Sequence, residues 1–188
     1  TNDIEALTKF RRKLLGLPTA PTDAGKFDLV VVGGGLAGTC AAISAARNGL
    51  KVALVQDRPV LGGNASSEVR VWPEGHTNKE PYKHVGDIVN EVLLGNRKRG
   101  TMNGEAAEYF DDSQKLDIVN SEPNIQLFIN NRAIKVEKKD HKISAVIIHD
   151  TITAEHKKLT ASLFADCTGD ATIGYLAGAD YEYEVKDL

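Results

Sequence analysis

The spacing of apolar residues switches repeatedly between helical and strand-like intervals along the chain. Ile4, Leu7, Leu14 and Leu15 fall near helical spacing with charges between them, which predicts a short amphipathic helix over residues 4–15. Pro18 and Pro21 then mark a linker ending at Gly25. That helix is expected to cap the domain edge. From Phe27 to Val32 the chain is almost continuously apolar and β-branched, the pattern of a strand covered on both faces. Gly33-Gly34-Gly35-Leu36-Ala37-Gly38 follows at once, and residues 39–48 read as a helix rich in alanine, with Gly49 as its stop. Residues 51–56 form a second apolar run. Strand, glycine turn, helix and strand within about 30 residues make a βαβ unit, with parallel strands and a right-handed crossover.

Beyond this unit lies Leu61-Gly62-Gly63-Asn64-Ala65-Ser66-Ser67, then an extended piece from Glu68 to Trp72. Residues 73–84 read as loop. Val85, Ile88, Val89, Val92 and Leu93 place one apolar side on a helix over 85–99, and residues 116–119 end another. The last third alternates as strands, at 125–129, 133–137, 143–149 and 159–166, the last running into Cys167-Thr168-Gly169-Asp170. These spacings predict a small antiparallel meander between two parallel strands. The fold class is α/β: a Rossmann-like parallel sheet carrying an antiparallel β-meander.

Composition narrows the function classes. At 188 residues, 41% hydrophobic and 26% charged, the chain has globular usage, which excludes a disordered tail or a fibre. No apolar run reaches the roughly 18 residues that span a bilayer, so no membrane partner is expected. A net charge of −3 is too mild for a nucleic-acid surface. Cys40 and Cys167 are read as free, buried thiols rather than a disulfide framework. The five histidines have no metal-ligand spacing, so no metal is expected, and no Gly-x-Ser-x-Gly marks a hydrolase.

The glycine turn carries the chemistry. Gly33, Gly35 and Gly38 form G-x-G-x-x-G after a strand and at the opening of a helix, the context a dinucleotide fingerprint requires. Gly33 permits the tight turn, Gly35 lets a pyrophosphate approach the backbone, and Gly38 lets helix and strand pack closely. Leu36 and Ala37, within the turn, join these as cofactor contacts, because the first N–H groups of the helix face the phosphates. At the end of the second strand an acid for ribose is expected, but Gln56 stands there, followed by Asp57 and Arg58. Gln56 is taken as the ribose partner, with Asp57 as the fallback. Arg58 keeps a 2′-phosphate, and so NADP, open.

Three features resemble FAD-dependent oxidoreductases of the glutathione-reductase-like flavin fold: the first glycine motif, Leu61-Gly62-Gly63-Asn64 after the second strand, and Thr168-Gly169-Asp170 after a late strand. The string from Asp57 to Arg70 is also similar to a bacterial group of such enzymes, some labelled xanthan-lyase-like. The resemblance spans residues 27–183 and implies FAD as cofactor. It implies that Gly33, Gly35 and Gly38 line the pyrophosphate and that Gln56 stands where a glutamate usually meets the ribose. It implies that Gly62, Gly63, Asn64, Ser66 and Ser67 wrap the ribityl chain, that the Ala133 backbone meets the adenine, and that Asp170, with Thr168 and Gly169, reaches the ribityl or pyrophosphate side. Residues 1–24 then form an N-terminal helix and linker, and 25–188 the N-terminal part of an FAD-binding domain, with a substrate domain expected after residue 188. The implied reaction is two-electron transfer between FAD and a small organic substrate. Glu68, Arg70, His76 and His84 are the candidate polar groups near the flavin, with no catalytic residue assigned. An NAD(P)-binding enzyme domain and a non-catalytic nucleotide-binding module are the competing readings.

Overall fold

The computed structural model describes residues 3–75, 79–93, 103–104 and 106–182. It contains α1 (Ile4–Leu14), β1 (Thr22–Val32), α2 (Leu36–Arg47), β2 (Val52–Val55), α3 (Asp87–Leu93), α4 (Asp112–Ser121), β3 (Ile125–Phe128), β4 (Asn131–Lys139), β5 (Lys142–Asp150), β6 (His156–Asp166) and α5 (Thr172–Ala177). One six-stranded sheet runs β3-β2-β1-β6-β5-β4. β3, β2, β1 and β6 are parallel, while β6, β5 and β4 form the antiparallel meander. The meander's last strand is thus also a parallel neighbour of β1, so one strand serves both halves of the sheet.

The apolar run of β1 faces two cores. Val31 and Leu54 pack with Ala42, Ile43 and Ala46 of α2, Val92 of α3 and Val119 of α4. Val30, Val32, Ala53 and Val55 pack on the opposite face with Ala133, Val146, Ile148 and Leu159 of the meander and Ile173 of α5. Helices cover one face and the curled meander covers the other, which is why Val30, Val31 and Val32 are all buried. The small side chains of α2 let it lie close against the sheet.

Three boundaries differ from the sequence expectation. β1 begins at Thr22, inside the expected linker, because β6 is long enough to pair with it from Thr22↔Lys157 to Val32↔Asp166. α2 begins at Leu36, three residues earlier than expected, directly on the glycine turn. α3 begins at Asp87, and residues 94–99 of the expected helix lie outside the described residues. α1 also docks unexpectedly. Its anchor is Arg12, whose guanidinium donates to the carbonyls of Pro18 and Ala154, while Leu7, Phe10, Leu14 and Leu15 are exposed. Three charge-assisted bonds to carbonyls hold the helix while these four apolar side chains stay exposed.

Candidate functional site

The C-terminal ends of β1, β2 and β6 stop along one crevice, the place where open parallel sheets take ligands. A cavity of about 530 Å³ lies there. Its floor is the glycine turn. Gly33 has φ +105°, and a Cβ on it would meet the Cys167 carbonyl oxygen at 2.1 Å. A Cβ on Gly38 would stand 1.8 Å from the Gly33 oxygen. Both positions therefore exclude any side chain. At Gly35 the only atom near the missing Cβ is the Gly63 Cα, 4.0 Å away, so that place is open. α2 starts here with no acidic residue in its first turn and no side-chain cap, leaving its first N–H groups for an anion.

The second glycine loop meets the first. Gly35 and Gly62 form an isolated parallel bridge, and the Gly62 N–H donates to the Gly34 oxygen at 2.8 Å. Gly33, Gly35, Leu36, Ala37, Gln56, Asp57, Arg58, Gly62, Gly63, Asn64, Ala133, Thr168, Gly169 and Asp170 all line the cavity. The tertiary fold thus gathers segments that lie far apart in the chain.

Three of the expected contacts are not on the wall: Gly38, Ser66 and Ser67. Gly38 acts from behind, by letting α2 approach the turn. The Ser66 hydroxyl donates to the Gly63 oxygen at 2.6 Å and so closes its own loop. The Ser67 N–H donates to Asp112 Oδ1 at 3.1 Å, tying that loop to α4. Beneath it, the fully buried Lys115 packs its stem against Gly62 and donates to the carbonyls of Phe110 and Asp111. Burial pulls the Lys115 ammonium below its usual range, and the nearby Asp112 carboxylate opposes this.

Gln56 is buried and largely committed. Its Oε1 accepts from the Gly34 N–H and its Nε2 donates to the Val60 oxygen, each at 2.9 Å. One lone pair and one N–H of the amide are left for a ligand. Asp57 is exposed with no partner among the described residues. Arg58 is held by Glu68 at 3.1 Å, so its charge is already answered. Arg70 has a left-handed φ of 60° and does not line the cavity. His84 pairs with Asp87 at 2.9 Å on the surface, and His76 lies outside the described residues. His149 and His156 are half-buried and meet edge-on across β5 and β6, with ring centroids 5.2 Å apart.

Sequence reasoning missed several wall and support groups. Asp166 ends β6 and its carboxylate accepts from Thr168 N, Thr168 Oγ1, Ile173 N and Gly174 N. Burial alone would raise its pKa, but the bonds from Gly174, Thr168 and Ile173 together hold it below the usual carboxylate range. The Asp-x-Thr spacing of an Asx turn was the available signal. Cys167 lines the cavity, and burial with the nearby Asp166 charge pushes its thiol pKa up. Trp72 and Asn131 also line it. Each is buried and carries one polar atom without a partner among the described residues, Trp72 Nε1 and Asn131 Oδ1.

A phosphate-ready helix start, an open glycine position and an orphaned buried acceptor fit an adenine dinucleotide. Among the described residues no three His, Cys, Asp or Glu side chains gather as metal ligands, and no helix is long and apolar enough to cross a membrane.

Comparisons with known proteins give the family and the fold. A sequence model of the family described as FAD dependent oxidoreductase matches residues 28–187. Dihydrolipoyl dehydrogenase of Trypanosoma brucei brucei is 29% identical over 154 residues, covering 73% of this chain and 32% of that protein. Fumarate reductase (cytochrome) of Shewanella frigidimarina is 38% identical over 87 residues, covering 46% of this chain and 15% of the relative. Among solved structures, glycerol-3-phosphate dehydrogenase from Bacillus halodurans, complexed with FAD, superposes with a TM-score of 0.58 at 16% identity, over 91% of this chain and 39% of the other. At that identity the likeness speaks for the fold. This chain spans a third or less of the length of these curated relatives.

Proposed function

The chain belongs to the FAD-dependent oxidoreductase family, and from that premise we propose that the cavity is its FAD site and that the protein transfers two electrons between a small organic substrate and FAD. The observation that carries this reading is the junction of two glycine loops, Gly35 with Gly62, at the start of α2. Backbone at Gly33, Gly35, Leu36 and Ala37 takes the pyrophosphate, with no side chain to obstruct it. Gln56 and Asp57 take the adenosine ribose. The Ala133 backbone and Asn131 Oδ1 meet the adenine. Gly62, Gly63 and Asn64 follow the ribityl chain, and Asp170, exposed beside Thr168 and Gly169, accepts from its hydroxyls. Ser66, Ser67, Asp112 and Lys115 hold the second loop in place.

Bound FAD supplies the hydride chemistry, and the protein orients it and excludes water. A nicotinamide cofactor with a 2′-phosphate would share the Arg58 guanidinium with Glu68, which bonds one of its nitrogens at 3.1 Å. The test is titration of the purified chain with FAD, NAD and NADP, followed by a visible spectrum. Saturable FAD binding with a perturbed flavin spectrum is expected. Preference for either nicotinamide cofactor would reject the reading. Reduction by dithionite and reoxidation by an added acceptor separate an electron-transfer site from a passive nucleotide-binding module.

A further inference from the structure

Trp72 is the chain's single tryptophan. Its ring is buried, lines the cavity and stacks on Phe110 with centroids 4.9 Å apart and planes 24° from parallel. Its backbone is fixed on both sides. The Trp72 N–H donates to Asn103 Oδ1 at 2.8 Å, and the Val71 N–H donates to the Asn64 oxygen at 2.9 Å. Yet the indole N–H has no partner among the described residues. Tryptophan normally satisfies that donor when buried, and leaving it unpaired costs free energy.

Backbone bonds sort the lining residues into two groups: the Asn131 N–H donates to the Gln56 oxygen at 2.8 Å, and the Val71 N–H to the Asn64 oxygen. Gln56, Asp57 and Asn131 make the first group polar, whereas Trp72 in the second is flanked in sequence by Val69, Val71 and Pro73, which also line the cavity. A flat, extended ring system suits the second group, and Trp72 Nε1 is the one buried side-chain donor without a partner among the described residues.

We propose that Trp72 recognises the ring end of the bound flavin, donating its indole N–H to an acceptor atom on the isoalloxazine edge. This rests on the cavity being the FAD site. The nitrogen is sealed from solvent without ligand, so the contact forms by a turn of the indole side chain toward the cavity while the backbone bonds at Val71 and Trp72 hold. Trp72 is then a specificity-determining residue: it distinguishes a ligand with a flavin ring from one with only an adenosine diphosphate.

The single tryptophan makes the test direct. In 15N-labelled protein one indole N–H signal is present, and it is followed during titration with FAD and, separately, with ADP. FAD is expected to move it downfield and slow its exchange with water, while ADP binds and leaves it in place. Trp72→Phe keeps the stack on Phe110 but lacks the donor. It is expected to weaken FAD by about tenfold, the size of one buried hydrogen bond, and ADP by less than about twofold. Because the donor is unpaired without ligand, its loss removes no hydrogen bond from the ligand-free protein, and any drop in stability reports only the packing of the smaller ring. FAD binding with an unmoved indole signal overturns the contact and leaves the FAD site standing. An equal response to ADP assigns Trp72 to the adenine end and also overturns it. Absence of FAD binding by absorbance overturns both. If Trp72→Phe fails to fold, the wild-type titration alone decides.

Discussion

The Gly34 N–H donates to Gln56 Oε1 at 2.9 Å, which joins the first glycine turn to the end of β2 across 22 residues of sequence. The other end of the same amide holds the Val60 oxygen. One neutral side chain therefore sets the spacing between the first glycine turn and the loop leading to the second glycine pair. A carboxylate could accept from Gly34 but could not donate to Val60.

Gln56→Leu should leave both the Gly34 N–H and the Val60 oxygen unpaired in a buried place. The expected loss is roughly 1–3 kcal/mol for each group, read from urea unfolding of the ligand-free protein. Gln56→Glu should be pH-dependent. Its carboxylate would face the Val60 carbonyl, so its pKa would rise on folding. Relative to the parent, that variant should lose stability as pH climbs above about 4.3, the ordinary glutamate value. A difference from the parent that does not change with pH would contradict the bridge.

Gly38→Ala should disrupt the fold at the site. Its methyl would stand 1.8 Å from a backbone oxygen, which no rotamer can relieve. The variant is expected to lose about 3 kcal/mol or more, with loss of FAD binding, measured by unfolding midpoint and flavin absorbance. A stable, yellow Gly38→Ala protein would argue that α2 can slide along the sheet.

Asp166 sets an acid limit. Its folded pKa lies below its ordinary value, so its contribution is present above about pH 3.9 and is lost as pH falls through the folded value. Asp166→Asn should lower the melting temperature at neutral pH and flatten its decline below pH 4. It should also weaken FAD, because Thr168 and the start of α5 lose their anchor. Unchanged melting at both pH values would remove this role.

The His149–His156 pair should give a second, milder transition. Burial and the Arg12 charge hold both imidazoles below their ordinary pKa. The folded state therefore binds fewer protons, and stability should fall as pH drops below about 6.5. Because Arg12 anchors α1 nearby, α1 should become more susceptible to trypsin in the same range. Replacing both histidines by Gln should abolish this step while leaving the one due to Asp166.

Much of the fold was legible because its signals are local. The β-branched run at Val30–Val32 and the alanine-rich α2 each declare their environment by their own composition. The start of β1 was not legible, because Thr22 and Asp23 become strand only through pairing with Lys157 and Lys158 of β6. Nor was the docking of α1, whose apolar spacing pointed away from the anchor that Arg12 provides.

At the site the same division holds. By itself the sequence determined the glycine turn, its helix and the second glycine loop, because those residues are required by backbone geometry within a few positions. Only the tertiary structure decided which polar atoms are spent and which remain. Gln56 is occupied by Gly34 and Val60, the Ser66 hydroxyl is spent on Gly63 and the Ser67 N–H on Asp112, and Arg58 is claimed by Glu68. Trp72 and Asn131, which line the cavity, each keep one buried atom without a partner among the described residues. Hydrogen-bond partners here come from segments distant in sequence, and whether a donor is satisfied depends on what folding brings within about 3 Å of it.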